Sequence, residues 1–194
     1  MAEEKKEPWL NYLALTTVIL AVCATLSTFK GGSYSTRSVM SQTEAANQWA
    51  YYQSKSIKTY LYEIQKERLE LELEEGDELS SKALESHKKK ISTYADKIEK
   101  YNLEKVAIEN EAKRLETIRD DAKKHAQVFG IAIIFLQIAI LLSSIAALMK
   151  KKLVWYIGIL MGIAGITCFA NGFLLIFISD SIQYSAKSSY VPPP

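Results

Sequence analysis

Three stretches of the chain, residues 9–29, 126–149 and 153–178, contain no Asp, Glu, Lys or Arg. The shortest would form a helix about 31 Å long, against a bilayer hydrocarbon core of about 30 Å. The pattern therefore predicts three transmembrane helices. Lys5 and Lys6 precede the first run as they would in a secretory leader, but the run is longer than a leader's apolar core. Val22 before Cys23 also makes a poor lipoprotein cleavage box, so the first run is expected to persist as an anchor.

Between the first two runs the pattern changes to one apolar position in three or four. Lys30-Gly31-Gly32-Ser33 opens a Gly/Ser-rich stretch over residues 30–42, expected to be a linker. Ser41-Gln42-Thr43-Glu44 has the form of a capping box and predicts a helix start near Thr43. From there Ala50, Ile57, Ile64 and Leu71 repeat every seven residues, with Ala46, Tyr60 and Leu61 between them, which predicts an amphipathic seam. Glu75-Gly76-Asp77, followed by Ser80 and Ser81, suits a helix end and a new start, so the chain is expected to reverse near residues 75–80.

A second pattern runs through Leu84, Ile91 and Ile98 and weakens at Lys105. Tyr94, Tyr101, Ile108, Leu115 and Ala122 hold the alternate positions. Residues 43–125 therefore read as an antiparallel, coiled-coil-like helical hairpin. No proline interrupts residues 81–149, so the second arm is expected to continue into the second span as one helix. Lys105 and Arg119 at seam positions make two-helix pairing imperfect, and further helices from copies of the same chain would supply the missing contacts. The fold class expected is all-α: three transmembrane helices with a long helical hairpin between the first and second.

Composition by itself conceals this organisation. The 194 residues are 48% apolar and 24% charged with a net charge of +2, and their mean hydropathy of −0.02 would suit an ordinary soluble domain. The average is a cancellation, because residues 30–125 hold 18 of the 24 basic and 18 of the 22 acidic residues. A segment so balanced is no generic nucleic-acid binder. Lys150, Lys151 and Lys152 tightly join the second and third spans, where basic residues favour the cytoplasmic side. The expected topology places residues 1–8 and 150–152 in the cytoplasm of a bacterium. Residues 30–125 and the tail, 179–194, then lie outside the inner membrane. Trp9, Tyr12, Trp155, Tyr156 and Tyr184 fall at the span ends, as interfacial aromatics do.

Small residues mark candidate helix-packing faces. Ala14, Thr17, Ala21, Ala24 and Thr28 form a stripe in the first span. Gly158, Gly162, Gly165 and Gly172 form another in the third, with Gly158 and Gly162 making a GxxxG pair. No ionisable residue lies near the midplane, which argues against an ion-coupled pump. Gln137 and Asn171 are expected to make interhelical hydrogen bonds.

The densest unusual cluster is Trp49-Ala50-Tyr51-Tyr52-Gln53-Ser54-Lys55-Ser56-Ile57-Lys58. On a helix Trp49, Tyr52, Gln53, Ser56 and Tyr60 share one face, while Tyr51, Lys55, Lys58 and Tyr62 share the next, where ammonium groups can lie over aromatic rings. It contains no nucleophile paired with a base. It is either a recognition surface or hairpin packing with solvated lysines. This box, with Trp9 to Thr17 (WLNYLALTT) and Lys30 to Arg37 (KGGSYSTR), resembles the bacterial membrane proteins of domain-of-unknown-function family 4337. The resemblance implies the order of the three spans and carries no activity, ligand or catalytic residue with it.

Other constellations are weak. The acidic residues from Glu70 to Glu78 lack calcium-loop spacing. His87 and His125 are far apart on one predicted helix, and Cys23 and Cys168 sit in apolar runs. No catalytic, metal or cofactor site is expected. The expected role is a non-enzymatic, homo-oligomeric membrane scaffold that contacts lipids and an envelope protein through its hairpin. The alternative is an oligomeric channel or accessory subunit of a transport complex. A periplasmic sensor is less favoured because so little of the chain would lie in the cytoplasm.

Overall fold

The computed structural model describes residues 8–75 and 80–188, with backbone course alone for residues 75 and 176–188. The reversal expected at Gly76-Asp77 lies outside the described residues, as do Lys5, Lys6 and the end of the tail. The described residues form three helices: α1 (Pro8–Glu75), α2 (Ser81–Met149) and α3 (Lys152–Ser188). Each contains a stretch long and apolar enough to cross a bilayer, and the described residues contain no strand. This is an all-α membrane protein.

Pro8 begins α1, where its missing N–H and fixed φ cost nothing. At the start of α2, the Ser80 carbonyl accepts hydrogen bonds from the N–H groups of Ala83 and Leu84 at 2.8 and 3.0 Å. Ser80 is thus the residue from which the helix propagates. α2 ends at Met149 with Lys150 in the left-handed region at φ 50°. The Lys151 N–H then reaches back to the Ala146 carbonyl at 3.3 Å. This six-to-one closure satisfies a terminal carbonyl and turns the chain directly into α3.

The expected linker over residues 30–42 is not one, because α1 runs through it without interruption. The predicted helix start at Thr43 is likewise mid-helix, and the Thr43 hydroxyl donates to the Val39 carbonyl at 3.0 Å. Two helical glycines cost about 2 kcal/mol relative to alanine. Ending one helix and starting another would instead strip up to about eight backbone groups of intrahelical partners, at about 1 kcal/mol or more for each one left unsatisfied. Continuing the helix is therefore favoured. Gly31 also has a packing reason, since a Cβ there would stand 3.1 Å from the Phe129 Cβ of α2, whereas one at Gly32 would meet nothing within 4 Å.

The chain forms two compact units: a membrane unit of residues 1–38 and 120–194, and a hairpin unit of residues 39–119. In the membrane unit Trp9, Leu13 and Ala146 form one cluster with Val154 and Trp155. Leu20, Leu136 and Ala139 form another with Cys23, Ala24, Ile140 and Met161. Phe129 is fully buried and meets Phe173 edge-on at 5.6 Å. Tyr34 stacks on buried His125, with ring centroids 4.8 Å apart. Hydroxyls in the first span bond to carbonyls of their own helix, including Thr17 to Leu13 and Ser27 to Cys23 at 2.8 Å each. These hydroxyls therefore need no partner from lipid.

The α3 glycines face inward. A Cβ at Gly162 would lie 3.0 Å from the Leu20 Cδ2, and one at Gly158 would lie 3.3 Å from both the Ala139 carbonyl and the Leu142 Cβ. A Cβ at Gly165 would lie 2.8 Å from the Leu136 Cγ. On α1 the inward positions are Leu13, Leu20 and Ser27, while Ala14 and Ala21 point outward and Ala24 is half-buried. Gln137 and Asn171 are also exposed. Neither amide lies on a helix face that another helix of the same chain covers.

Two substitutions separate a packing glycine from a dispensable one. Gly165→Ala should cost about 1 to 3 kcal/mol by overpacking against Leu136, whereas Gly32→Ala should stabilise by up to about 1 kcal/mol through helix propensity. Thermal unfolding in one detergent, followed by circular dichroism, should move the two midpoints in opposite directions.

Candidate interaction site on the hairpin

In the hairpin unit, contacts between α1 and α2 pair rising residue numbers with falling ones. Arg119 donates to Gln42 at 2.7 Å and the Trp49 indole to Glu116 at 3.0 Å. Lys55 pairs with Glu104, and Lys97 donates to the Tyr62 hydroxyl at 3.2 Å. His87 lies 3.7 Å from Glu72. The arms are antiparallel, and the seam between them is largely polar and aromatic.

Where this unit begins on α1 and ends on α2 the seam is small and apolar, with Ser41 and Ala45 buried on α1 and Ile108, Ala112 and Leu115 buried on α2. The box follows. Trp49 and Tyr52 are half-buried and meet edge-on at 5.7 Å. The Lys105 ammonium lies 5.9 Å from the centre of the Tyr52 ring. Lys55 is the most engaged cation, with its ammonium 5.2 Å from the Tyr51 ring centre and 4.8 Å from that of Tyr101 while it pairs with Glu104. Thr59 is buried beneath it and bonds back to the Lys55 carbonyl at 3.0 Å. Beyond it Tyr62 lies between Tyr94 and Tyr101, at 5.4 and 5.9 Å. Ser56 is half-buried, and Tyr51, Gln53 and Lys58 are exposed.

The α2 seam follows the expected repeat from Ile91 onward, with Ile91, Tyr94, Ile98, Tyr101, Lys105, Ile108 and Leu115 all at least half-buried, whereas the first expected position, Leu84, is exposed. The α1 seam does not. The predicted positions Ile57, Tyr60, Leu61, Ile64 and Leu71 are 50 to 64% exposed, and Ala46 and Ala50 are exposed with them. Ile57 lies two residues from both Lys55 and Thr59, and at about 100° per residue it points about 200° away from each. The strongest apolar repeat of α1 therefore runs along the side opposite α2. Repeat counting located a genuine stripe but assigned it to the wrong partner, because the polar stripe Ser41, Lys55 and Tyr62 steps in multiples of the same seven residues.

The electrostatics centre on one ion pair. The hydrogen bond from Lys55 holds the Glu104 carboxyl below the ordinary glutamate value, with nearby Lys100 and Lys58 reinforcing it. The same bond raises Lys55 above the ordinary lysine value. Glu111 is lowered and Arg114 raised by their bond across one turn of α2. This box can hold two helices in register, and its contacts are made by side chains of the chain itself. Among the described residues, no group of three His, Cys, Asp or Glu side chains is placed to hold a metal ion.

The chain matches the family model for the domain of unknown function DUF4337 over residues 9–175. The chain belongs to this family. No curated protein and no solved structure matches it. The match begins at Trp9 and covers the box, the α2 seam and the α3 glycines, so the DUF4337 domain includes both compact units. In this DUF4337 chain the box residues divide between the α2-facing side of α1 and solvent.

The Lys55–Glu104 contact gives a pH dependence with a defined sign. A carboxylate held below its ordinary value contributes above the unfolded glutamate pKa of about 4.3, and the contribution is lost as pH falls through the depressed value. Lysine held high contributes below about 10.4 and loses the contribution as pH rises through its raised value. Glu104→Gln should therefore lower the unfolding midpoint near neutral pH. The wild-type and variant curves should converge as pH falls from about 4.3 through the depressed Glu104 value, read by circular dichroism across a pH series. Trp49→Phe removes the indole donor to half-buried Glu116 and should cost about 1 kcal/mol in the same measurement.

Proposed function

We propose that this DUF4337 protein is a non-enzymatic, self-associating scaffold of the bacterial inner membrane. Its hairpin lies on the extracytoplasmic side, and residues 150–152 lie in the cytoplasm. The observation that carries the reading is the apolar repeat of α1 facing away from α2: Ile57, Tyr60, Leu61 and Ile64 are each more than half exposed. Scattered exposed apolar residues need no explanation, but a continuous stripe over several turns marks a surface that another helix covers. The hairpin's balanced charge keeps it in water, where burying that stripe is favourable. Lipid contacts the spans, and the outer end of the hairpin is left for an envelope partner.

Outward amides supply a second support for association. Gln137 and Asn171 are exposed on helices apolar enough to cross a bilayer. An amide facing hydrocarbon gains from hydrogen-bonding to another helix, typically by about 1 kcal/mol. The same two residues favour a channel as the second reading, since amides from several copies could line a path between them.

Mass measurement of the purified full-length protein in several mild detergents should find a defined oligomer. Ile57→Glu with Ile64→Glu should shift it at least tenfold toward monomer at fixed concentration. Monomers throughout would overturn the scaffold. Solute flux into liposomes should not exceed that of empty vesicles; flux abolished by Asn171→Leu would favour the channel. With Cys23 and Cys168 replaced, a cysteine near Gly76 should react with an impermeant thiol reagent on outer-membrane-permeabilised cells. Reaction only after inner-membrane lysis would reverse the topology.

A further inference from the structure

We propose, resting on the self-association reading, that the partner of the outward stripe is the same stripe of a second copy. The two would pair in parallel and in register as a short coiled coil. The stripe has the required periodicity. With Ala50, Ile57 and Ile64 at position a, Ala46, Gln53 and Tyr60 take position d, giving two seam residues per heptad over residues 46–64. The side facing α2 then falls on c and f, at Ala45, Tyr52 and Thr59 and at Ser41, Lys55 and Tyr62. Each α1 thus carries two distinct seams, and pairing with a second copy leaves the contacts between α1 and α2 in place.

Direction follows from the anchor. Every copy reaches the stripe from its first membrane span, so copies inserted alike enter the pair N-terminus first and run parallel. Register follows from charge. In a parallel pair position g of one helix meets position e of the next heptad on the other. Here Glu63 at g meets Arg68 of the second copy at e, and the relation repeats across the twofold axis. Glu63 is exposed and makes no ion pair among the described residues, while exposed Arg68 pairs along its own helix with Glu72 at 3.0 Å. Ser56 and Leu61 form the preceding g–e contact without charge conflict.

The same assignment sets where pairing stops. Glu67 occupies the next d position, where two copies would place like charges face to face, so the apolar part of the seam ends at Ile64 and the Glu63–Arg68 contacts form its last turn. Leu71 lies beyond it. Another exposed apolar feature of the hairpin is a groove of about 430 Å³ beside Ala95, Ile98, Leu103 and Val106, which also exposes Glu99 and Asn102. It is short and partly charged, and it lacks the seven-residue continuity of α1.

Disulfide trapping tests the pairing in the full-length protein with Cys23 and Cys168 replaced by alanine. Single cysteines are placed at each position from 50 to 65, oxidised in native membranes, and read as covalent homodimer. Trapping should peak at positions 50, 57 and 64, with a lesser peak at 53 and 60, and fall at least fivefold at 58 and 65. Glu63→Arg and Arg68→Glu should each weaken trapping at position 57, and the double variant should restore it. An oligomer in detergent with no peak at 57 and 64 would overturn this pairing while leaving the scaffold standing. A monomer in detergent without trapping would overturn both. Trapping at 57 to a different protein would replace the second copy as occupant and overturn the proposal. A peak shifted by three or four residues, or loss of charge-swap rescue, would overturn the register.

Discussion

The continuity of α1 through Gly31 and Gly32 is the constraint on which the rest of the structure depends. A flexible linker would leave the first arm free to turn whichever face it chose toward the second. An unbroken helix has no such freedom, because each residue's direction follows from the one before it. Among the positions that α1 buries or half-buries, Leu13, Leu20, Ser27, Ser41, Lys55 and Tyr62 are separated by sevens or fourteens, and all but Lys55 and Tyr62 are small or apolar. In the hairpin arm the side facing α2 carries Lys55 and Tyr62, and its polar composition is accommodated rather than avoided.

That accommodation explains the character of the hairpin seam. Lys55 meets Glu104 and two tyrosine rings, and Tyr62 meets Lys97 and two more tyrosines. Partly exposed ion pairs and cation–π contacts of this kind contribute on the order of 1 kcal/mol or less each. They specify which residues face one another more than they stabilise the pair. The hydrophobic term lies at the two stripes such contacts do not use: the buried Ala45, Ile108, Ala112 and Leu115 at one end of the unit, and the outward stripe of α1. A hairpin built this way is well registered and has apolar surface left over, which suits an element that assembles.

The membrane unit uses a different principle. Lipid provides no hydrophobic reward for helix association, so close approach must come from small residues and satisfied polar groups. Gly158, Gly162, Gly165 and Gly172 place α3 against Leu20, Leu136, Ala139 and Phe129, and the hydroxyls of α1 are bonded to their own helix. The GxxxG pair is consumed within the chain, so the proposed association between copies would use other surfaces. The outward Gln137, Asn171, Ala14 and Ala21 remain available for that.

The sequence by itself determined the all-α class, the three membrane-crossing stretches, the α2 seam and the membership suggested by the Trp49 to Lys58 box. Those properties follow from uncharged runs, a proline-free interior and a seven-residue repeat, all local or short in period. The tertiary structure decided that residues 30–42 are helix, because the close approach of Gly31 to Phe129 joins residues nearly a hundred positions apart. It also decided which of the two repeats on α1 faces α2. A helical period reports that a stripe exists and cannot report what covers it, since stripes on opposite sides of one helix share the same spacing. Only the packing of α1 against α2 told them apart, and it left the apolar one outward.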